Sequence, residues 1–116
     1  MTELKRFVQT RINHRVVEAG RLLHFGGLIA GDLTADMEGQ TAQICAKLDA
    51  LLAEVGSSKE KLVSAMLYIT DFDQKEGMNS AWLDWMPAEH LPARATIGVA
   101  ELGKNVLIEV VVVAAR

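Results

Sequence analysis

The last stretch of the chain, residues 106–115, contains a single residue that is not apolar, Glu109. Its valines and isoleucine favour a β-strand, and successive side chains of a strand point to opposite faces of a sheet. Both faces of this strand are therefore apolar, and such a strand has to be covered on both sides. Helices of the same chain can cover one face of the sheet, and the other face needs a second cover.

The length and composition predict one globular domain spanning residues 1–116. A chain of about 100 to 150 residues can bury a self-sufficient core, and a second domain has no room. Half of the residues are apolar, the formal net charge is −3, and no long Gly, Ser or Pro tract interrupts the sequence. These values are typical of an ordered protein.

Several functional classes are disfavoured by the same sequence. The longest apolar run, residues 110–115, is far shorter than the ~20 residues of a membrane helix, and the N-terminus has no signal-peptide hydrophobic region. The single cysteine, Cys45, can form neither an internal disulfide nor a thiolate metal cage. The mild acidity offers no electrostatic footprint for nucleic acid. We therefore expect a cytoplasmic protein that binds neither membranes nor nucleic acid.

Six strands are predicted from short runs rich in Val, Ile, Leu and Phe that are bounded by turn residues. They are residues 4–10, 15–19, 21–27, 62–70, 93–102 and 105–115. The last two flank Gly103 and Lys104, which is the pattern of a closing β-hairpin.

Two helices are predicted between these strands. The first is indicated by apolar residues at helical spacing followed by a glycine stop signal: Ile44, Leu48, Leu51, Leu52, Val55 and Gly56. Residues 57–60, SSKE, have the form of a capping box and predict a single helical turn. The second helix is predicted to begin at an N-cap, Asp71, with Gln74 at the capping-box position. Its buried stripe is Met78, Trp82 and Trp85, and Pro87 ends it.

The predicted order is three strands, a helix, a strand, a helix and two strands. This order indicates an α+β (mixed α/β) fold with one mostly antiparallel sheet and two helices on one face. No chain remains to cover the other face. We therefore expect another subunit to cover it, as in a homo-oligomer.

Two ionisable residues, Arg94 and Glu109, interrupt the last two predicted strands. A two-residue turn would place both on one face with Gly98, about four strand positions or roughly 13 Å apart. An arginine in an apolar wall offers a fork of donors that matches a carboxylate. A glutamate there can orient or deprotonate a water molecule. The alternative is structural: the two charges pair with each other, or across a subunit boundary, to fix the register.

Other candidate sites are weaker. His14, His24 and His90 lie in separate segments without a metal-binding spacing, so we expect no metal site. The segment GGLIAGD, residues 26–32, lacks the pattern of a phosphate-binding loop. Its glycines allow a ligand close access to backbone N–H groups, and we choose Gly27 for that role. No serine lies in a nucleophile elbow.

The segment PARATIGVAELGKNVLIEVVVVAA resembles the reactive intermediate deaminase (RidA/YjgF) family. The family pattern is a PxR strand followed by a return strand that reads IE near its middle. The resemblance extends through RVVEAGRLLHFGGLIAGD, QTAQICAKLDALLAEVGSSKEKLV and LYITDFDQKEGMNSAWLDWM, so that only the first dozen residues are uninformative.

The resemblance implies a chorismate-mutase-like fold and a homotrimer with a cleft at each subunit interface. It also implies an enamine/imine deaminase, a hydrolase of the 2-iminobutanoate/2-iminopropanoate type. Such proteins convert 2-aminoacrylate and related imines to 2-keto acids and ammonia without a cofactor. The implied ligand is thus a small imine or carboxylate.

Site residues follow from the same resemblance. Arg94 matches the arginine that binds the substrate carboxylate, and Glu109 matches the glutamate that orients water. Gly27 matches the glycine after the third strand and Asn79 the asparagine of the second helix. Two positions depart from the family pattern: Asn13 stands where the family has an aromatic residue, and Thr96, on the predicted wall of the pocket, where a cysteine is frequent.

Two other functions remain open. The main alternative is a non-catalytic trimer that binds small carboxylate metabolites, because Arg94 and Gly27 alone suffice for binding. The third is the ribonuclease activity attributed to some relatives of the family. The net acidity and the lack of a paired-histidine arrangement disfavour it.

Overall fold

The computed structural model of the protein describes residues 2–116 and contains one six-stranded sheet with two helices. The strands are β1 (Leu4–Gln9), β2 (His14–Ala19), β3 (Leu22–Phe25), β4 (Leu62–Ile69), β5 (Ala93–Gly98) and β6 (Ile108–Ala115). The helices are α1 (Met37–Glu54) and α2 (Lys75–Trp85), and short 3-10 turns cover Lys59–Lys61, Phe72–Gln74 and Ala88–His90. The predicted elements and the α+β class are therefore confirmed.

Strand β6 lies inside the sheet, between β3 and β4, in the order β1-β2-β3-β6-β4-β5. Its residues alternate between fully buried side chains, such as Ile108 and Val110, and half-buried ones, such as Val111 and Val113. The fully buried set belongs to the core that the helices cover. The half-buried set lies on the other face, which no element within residues 2–116 covers. The prediction of a strand apolar on both faces is confirmed.

The predicted closing hairpin is wrong. Strand β5 pairs in parallel with β4, and β4 lies between β5 and β6. The reason is helix α2, which returns the chain from the end of β4 to its beginning, so that β5 enters in the direction of β4. Residues 99–107 form a loop, in which Gly103 and Asn105 have positive φ. The other four strand pairings are antiparallel, as expected.

Helix α1 ends at the predicted signal, Gly56, and begins after Asp36. The Asp36 carboxylate accepts a hydrogen bond from the Gly39 N–H at 2.9 Å, which caps the first turn. At the other end Gly56 has φ +80, a conformation that glycine adopts without steric cost. The N–H groups of Gly56 and Ser57 donate to Ala53 and Leu52, which satisfies the last carbonyls of the helix.

Helix α2 is tied to α1 at its N-terminus. The Asp71 carboxylate accepts from the Asp73 N–H and caps the turn that leads into the helix. The Gln74 side chain donates to Asp71 and accepts from the Met37 N–H at 2.9 Å. The helix buries Met78 and Trp82, as predicted, and Trp85 is half-buried. The packing of the helices thereby fixes where the polar face of α2 lies relative to the sheet.

One predicted cap does not form. The single helical turn is present at Lys59–Lys61, but the Ser57 hydroxyl donates to the Ala115 carbonyl at 2.8 Å instead of capping the turn. The Ser57 hydroxyl therefore bonds to a carbonyl at the end of β6, and the N–H groups of the turn have no side-chain cap. In the part of the chain that the structure describes, no helix is long and apolar enough to cross a membrane.

Candidate functional site

Arg94 lies on the helix-covered face of the sheet, at the edge strand β5. It is paired with Ala65, a buried residue of β4. Its guanidinium donates from Nη2 to the Asn79 Oδ1 on α2 at 2.7 Å, so the amide holds the fork in one orientation. Both residues line an open cavity of about 350 Å³ together with Trp82, Leu83, Leu91, Pro92 and Glu76. The arginine is exposed and free to meet an anion from outside the chain.

Thr96 follows Arg94 on the same face of β5. It is paired with Leu67 of β4, whose side chain is fully buried among the core residues. Thr96 itself is half-buried. We refer to Arg94, Asn79 and Thr96 as the Arg94 end.

Glu109 lies on the opposite, uncovered face of the sheet. It is paired with Tyr68 of β4, and its carboxylate lies against Gly27, just after β3. A Cβ added at Gly27 would be 2.1 Å from Glu109 Oε2 and 2.9 Å from its Cδ. Only glycine at position 27 therefore leaves the carboxylate where it is. This close approach places two of the predicted site residues side by side.

Asn13 lies near the same place, on the turn between β1 and β2. Its Oδ1 accepts a hydrogen bond from the Thr10 hydroxyl at 2.6 Å. Its amide nitrogen would be 3.0 Å from a Cβ added at Gly26. Asn13 and Gly27 both line a cavity of about 370 Å³. We refer to Glu109, Gly27 and Asn13 as the Glu109 end.

The predicted placement of Arg94 and Glu109 on one face is wrong. Their β4 partners, Ala65 and Tyr68, are three residues apart and point to opposite faces of the sheet. The prediction failed because it assumed the hairpin register. A direct pair within the chain is also not formed, since the ion pair in the described residues joins Glu18 and Arg116, at 2.5 Å. The Arg94 end and the Glu109 end are separate in one subunit.

The remaining titratable candidates do not form a second site. Burial raises the pKa of the Cys45 thiol to about 12, and the nearby Asp49 carboxylate acts in the same direction, so the thiol stays protonated. The three histidines lie on different elements, β2, β3 and the 3-10 turn Ala88–His90. Over residues 2–116, no group of three or more His, Cys, Asp or Glu could hold a metal ion.

Sequence reasoning missed a group of basic residues near the Glu109 end. Arg11, Arg15 and Lys47 line the same cavity as Gly27. Arg11 and Arg15 flank Asn13 in the sequence, so a scan for charges around that position could have found them. Lys47 comes from α1 and is brought there only by the fold.

Comparison with known proteins gives a consistent result. A family model described as endoribonuclease L-PSP matches residues 5–116. RutC family protein YoaB of Escherichia coli is 30% identical over 115 residues, which are 99% of each chain. The solved structure of an uncharacterized protein from Pseudomonas aeruginosa has a TM-score of 0.93 and 29% identity, over 98% of this chain and 99% of the other. A member of the YjgF family from Neisseria meningitidis has a TM-score of 0.92 and 27% identity, over 98% and 95%. The chain therefore belongs to the endoribonuclease L-PSP family, that of the RidA and YjgF proteins which its sequence resembles.

Proposed function

We propose that this protein hydrolyses small reactive imines of 2-keto acids, of the 2-aminoacrylate type, in clefts between the subunits of a homotrimer. The observation that carries the proposal is the contact of the Glu109 carboxylate with Gly27, which leaves no room for a side chain at position 27. A carboxylate held against an exposed glycine backbone has space beside it for a water molecule and a small ligand.

The Arg94 end supplies the anchor for the substrate carboxylate. A guanidinium presents paired donors to a carboxylate in a fixed plane, and the bond to Asn79 leaves its other N–H groups available. The apolar side chains of Leu83, Leu91 and Pro92 border the same cavity. They exclude water from one side of the ion pair and strengthen it.

The Glu109 end supplies the reacting water. Glu109 accepts a proton from a water molecule, whose oxygen attacks C2 of the iminium and forms a tetrahedral carbinolamine. The proton passes to the amino nitrogen, the C2–N bond breaks, and Glu109 takes up the hydroxyl proton as the keto group forms. That proton converts the departing ammonia to ammonium, so that one iminium and one water give one keto acid and one ammonium ion. Imines hydrolyse unaided, so a reduction of the barrier by a few kcal/mol suffices, each ~1.4 kcal/mol being tenfold in rate.

A second copy of the chain is required to unite the two ends. Within one chain they lie on opposite faces of the sheet, and the uncovered face carries half-buried apolar residues such as Met66, Ile97, Val111 and Val113. Packing that face against another subunit buries them and places the Glu109 end of one subunit at a subunit boundary. A head-to-tail ring then repeats the same cleft at every interface.

The activity test uses a flavin amino-acid oxidase to generate imines from leucine or alanine, with semicarbazide to trap them. The protein is expected to lower semicarbazone formation in a dose-dependent manner. Arg94→Ala is expected to abolish this effect, and Glu109→Gln to lower turnover while largely sparing ligand binding. Glu101→Gln and Arg21→Ala, at exposed positions outside the cavities above, are the matched controls.

Four outcomes would contradict the proposal. Unchanged hydrolysis in both site variants would place the reaction outside the Arg94 and Glu109 ends. No acceleration by the wild type together with binding of keto acids would favour the non-catalytic carboxylate binder. Sedimentation as a single 12.7 kDa subunit would remove the subunit interface on which the cleft depends. RNA cleavage is measured in parallel, and cleavage that co-purifies with the wild type and is lost in Arg94→Ala would favour the ribonuclease alternative.

A further inference from the structure

The cavity beside Gly27 is bordered by more positive charge than a single substrate carboxylate needs. Its lining contains Arg11, Arg15 and Lys47 and no acidic residue. Arg15 and Lys47 also line an adjoining cavity of about 290 Å³, where Glu54 is the one acidic residue. The chain as a whole has a formal net charge of −3. Three cations around one cavity of such a protein mark a local reversal of its charge.

The three basic residues are carried by structure that does not need a ligand to form. Arg11 lies on the turn between β1 and β2, where the Thr10 N–H donates to the Asn13 carbonyl at 2.8 Å and the Asn13 N–H to the Thr10 hydroxyl at 3.1 Å. Arg15 follows on β2. Lys47 extends from α1 and donates to the Ile29 carbonyl at 2.8 Å. Positive charge on such a scaffold is preorganised for an anion.

The anchor at Arg94 does not account for this charge, because the cavity that Arg94 lines shares no residue with this one. Glu109 lies beside Gly27 and carries one negative charge, which can balance only one of the three cations, and the lining of the cavity itself contains no acidic residue. A volume of about 370 Å³ exceeds what a two- or three-carbon side chain fills. A ligand that complements the cavity therefore has a second acidic group at its far end.

We propose that Arg11, Arg15 and Lys47 form a subsite for the distal carboxylate of a four- or five-carbon dicarboxylic imino or keto acid. This inference rests on the proposed function for the position of the reacting C2 atom, which lies near Glu109. The recognition of the distal carboxylate depends only on the three cations. The subsite makes the protein prefer substrates with an acidic side chain over substrates with an apolar one.

The test compares two probes of equal chain length, 2-oxoglutarate and 2-oxopentanoate, which differ by the terminal carboxylate. Titration calorimetry on the wild-type protein is expected to give about tenfold tighter binding of 2-oxoglutarate at low ionic strength. The preference is expected to shrink when the salt concentration is raised. Arg15→Gln is expected to reduce it to about twofold, and the triple variant with Arg11→Gln and Lys47→Gln to remove it. Arg21→Gln, on the exposed turn before β3, is the matched control and keeps the preference.

Equal affinity of the wild type for the two probes overturns the subsite, and so does a preference that survives in the triple variant or no measurable binding of either probe. Failure of the deaminase proposal gives a different result. A protein that prefers 2-oxoglutarate but accelerates no imine hydrolysis retains the subsite and loses the catalytic function. A protein that hydrolyses imines without a preference for acidic ones retains the catalytic function and loses the subsite.

Discussion

The Arg94 end and the Glu109 end differ in how the fold holds their charged groups. Arg94 is oriented by the hydrogen bond that it donates to a side chain on another element, the Asn79 Oδ1 of α2, at 2.7 Å. Glu109 is positioned by space: its carboxylate occupies the volume that any side chain at position 27 would fill. A side chain oriented by a hydrogen bond is disturbed when its partner is removed. A side chain that occupies the space beside a glycine is disturbed when that space is filled. Arg94 is therefore expected to move when Asn79 is changed, and Glu109 when Gly27 is changed.

The largest effect is expected from Gly27→Ala. The new Cβ would meet the Glu109 carboxylate at 2.1 Å, and because this carboxylate is the far end of a flexible side chain, it moves and the backbone stays. A displacement of about 1 Å from the reactive geometry costs about 100-fold in rate, so we expect kcat for imine hydrolysis to fall by that factor. Steady-state kinetics measure the fall in kcat, and thermal melting measures separately whether the substitution changes the stability of the fold.

Gly31→Ala is the matched control, because a Cβ at Gly31 has no heavy atom within 4 Å. It is expected to retain wild-type kinetics. Full activity in Gly27→Ala would mean that the position of the Glu109 carboxylate does not matter for the reaction. A large loss of thermal stability in Gly27→Ala would instead assign the glycine to folding.

A second prediction concerns the separation of the two ends. If each cleft takes Arg94 from one subunit and Glu109 from the next, trimers refolded from an equal mixture of Arg94→Ala and Glu109→Gln chains contain intact clefts. Random assortment around a ring makes about one cleft in four intact, so about a quarter of wild-type activity is expected from two inactive parents. The activity of the refolded mixture is compared with that of each parent refolded alone. No recovery at all would place both residues of a working site in one chain.

The sequence predicted the elements of the fold and the identity of the charged residues better than their arrangement. The apolar run on both faces of β6 and the helical spacing from Ile44 to Val55 are local patterns, and both are confirmed. The register between Arg94 and Glu109 is not local, since it depends on α2 returning the chain so that β5 pairs with β4. The strand-helix-strand order already favours a parallel pair, and the apparent turn at Gly103 concealed that signal.

The neighbours of the site were harder to predict for the same reason. Gly27 was chosen for close access to its backbone, and its actual constraint is the carboxylate of a residue 82 positions away, which only the β3 and β6 pairing brings near. Lys47 reaches the same cavity from α1, and no pattern in the sequence relates it to Arg15. Residue types that carry chemistry can be recognised locally, whereas the steric contacts that orient them are long-range.

The smallest effect is expected from Asn79→Ala, which removes the hydrogen bond that orients Arg94. The guanidinium keeps its charge and remains able to bind a carboxylate, but it samples more orientations, and substrate binding has to restrict them. One hydrogen bond to a charged group at a half-exposed position corresponds to about a tenfold change, so KM is expected to rise by about that factor while kcat changes little.

Ser80→Ala, at the next position on α2, is the control for Asn79→Ala. Asn79→Asp, which retains the acceptor oxygens, is expected to restore part of the lost orientation while its charge competes with the substrate carboxylate for Arg94. An unchanged KM in Asn79→Ala would show that Arg94 is oriented by the subunit interface and not by α2, and the distinction between the two ends would then disappear.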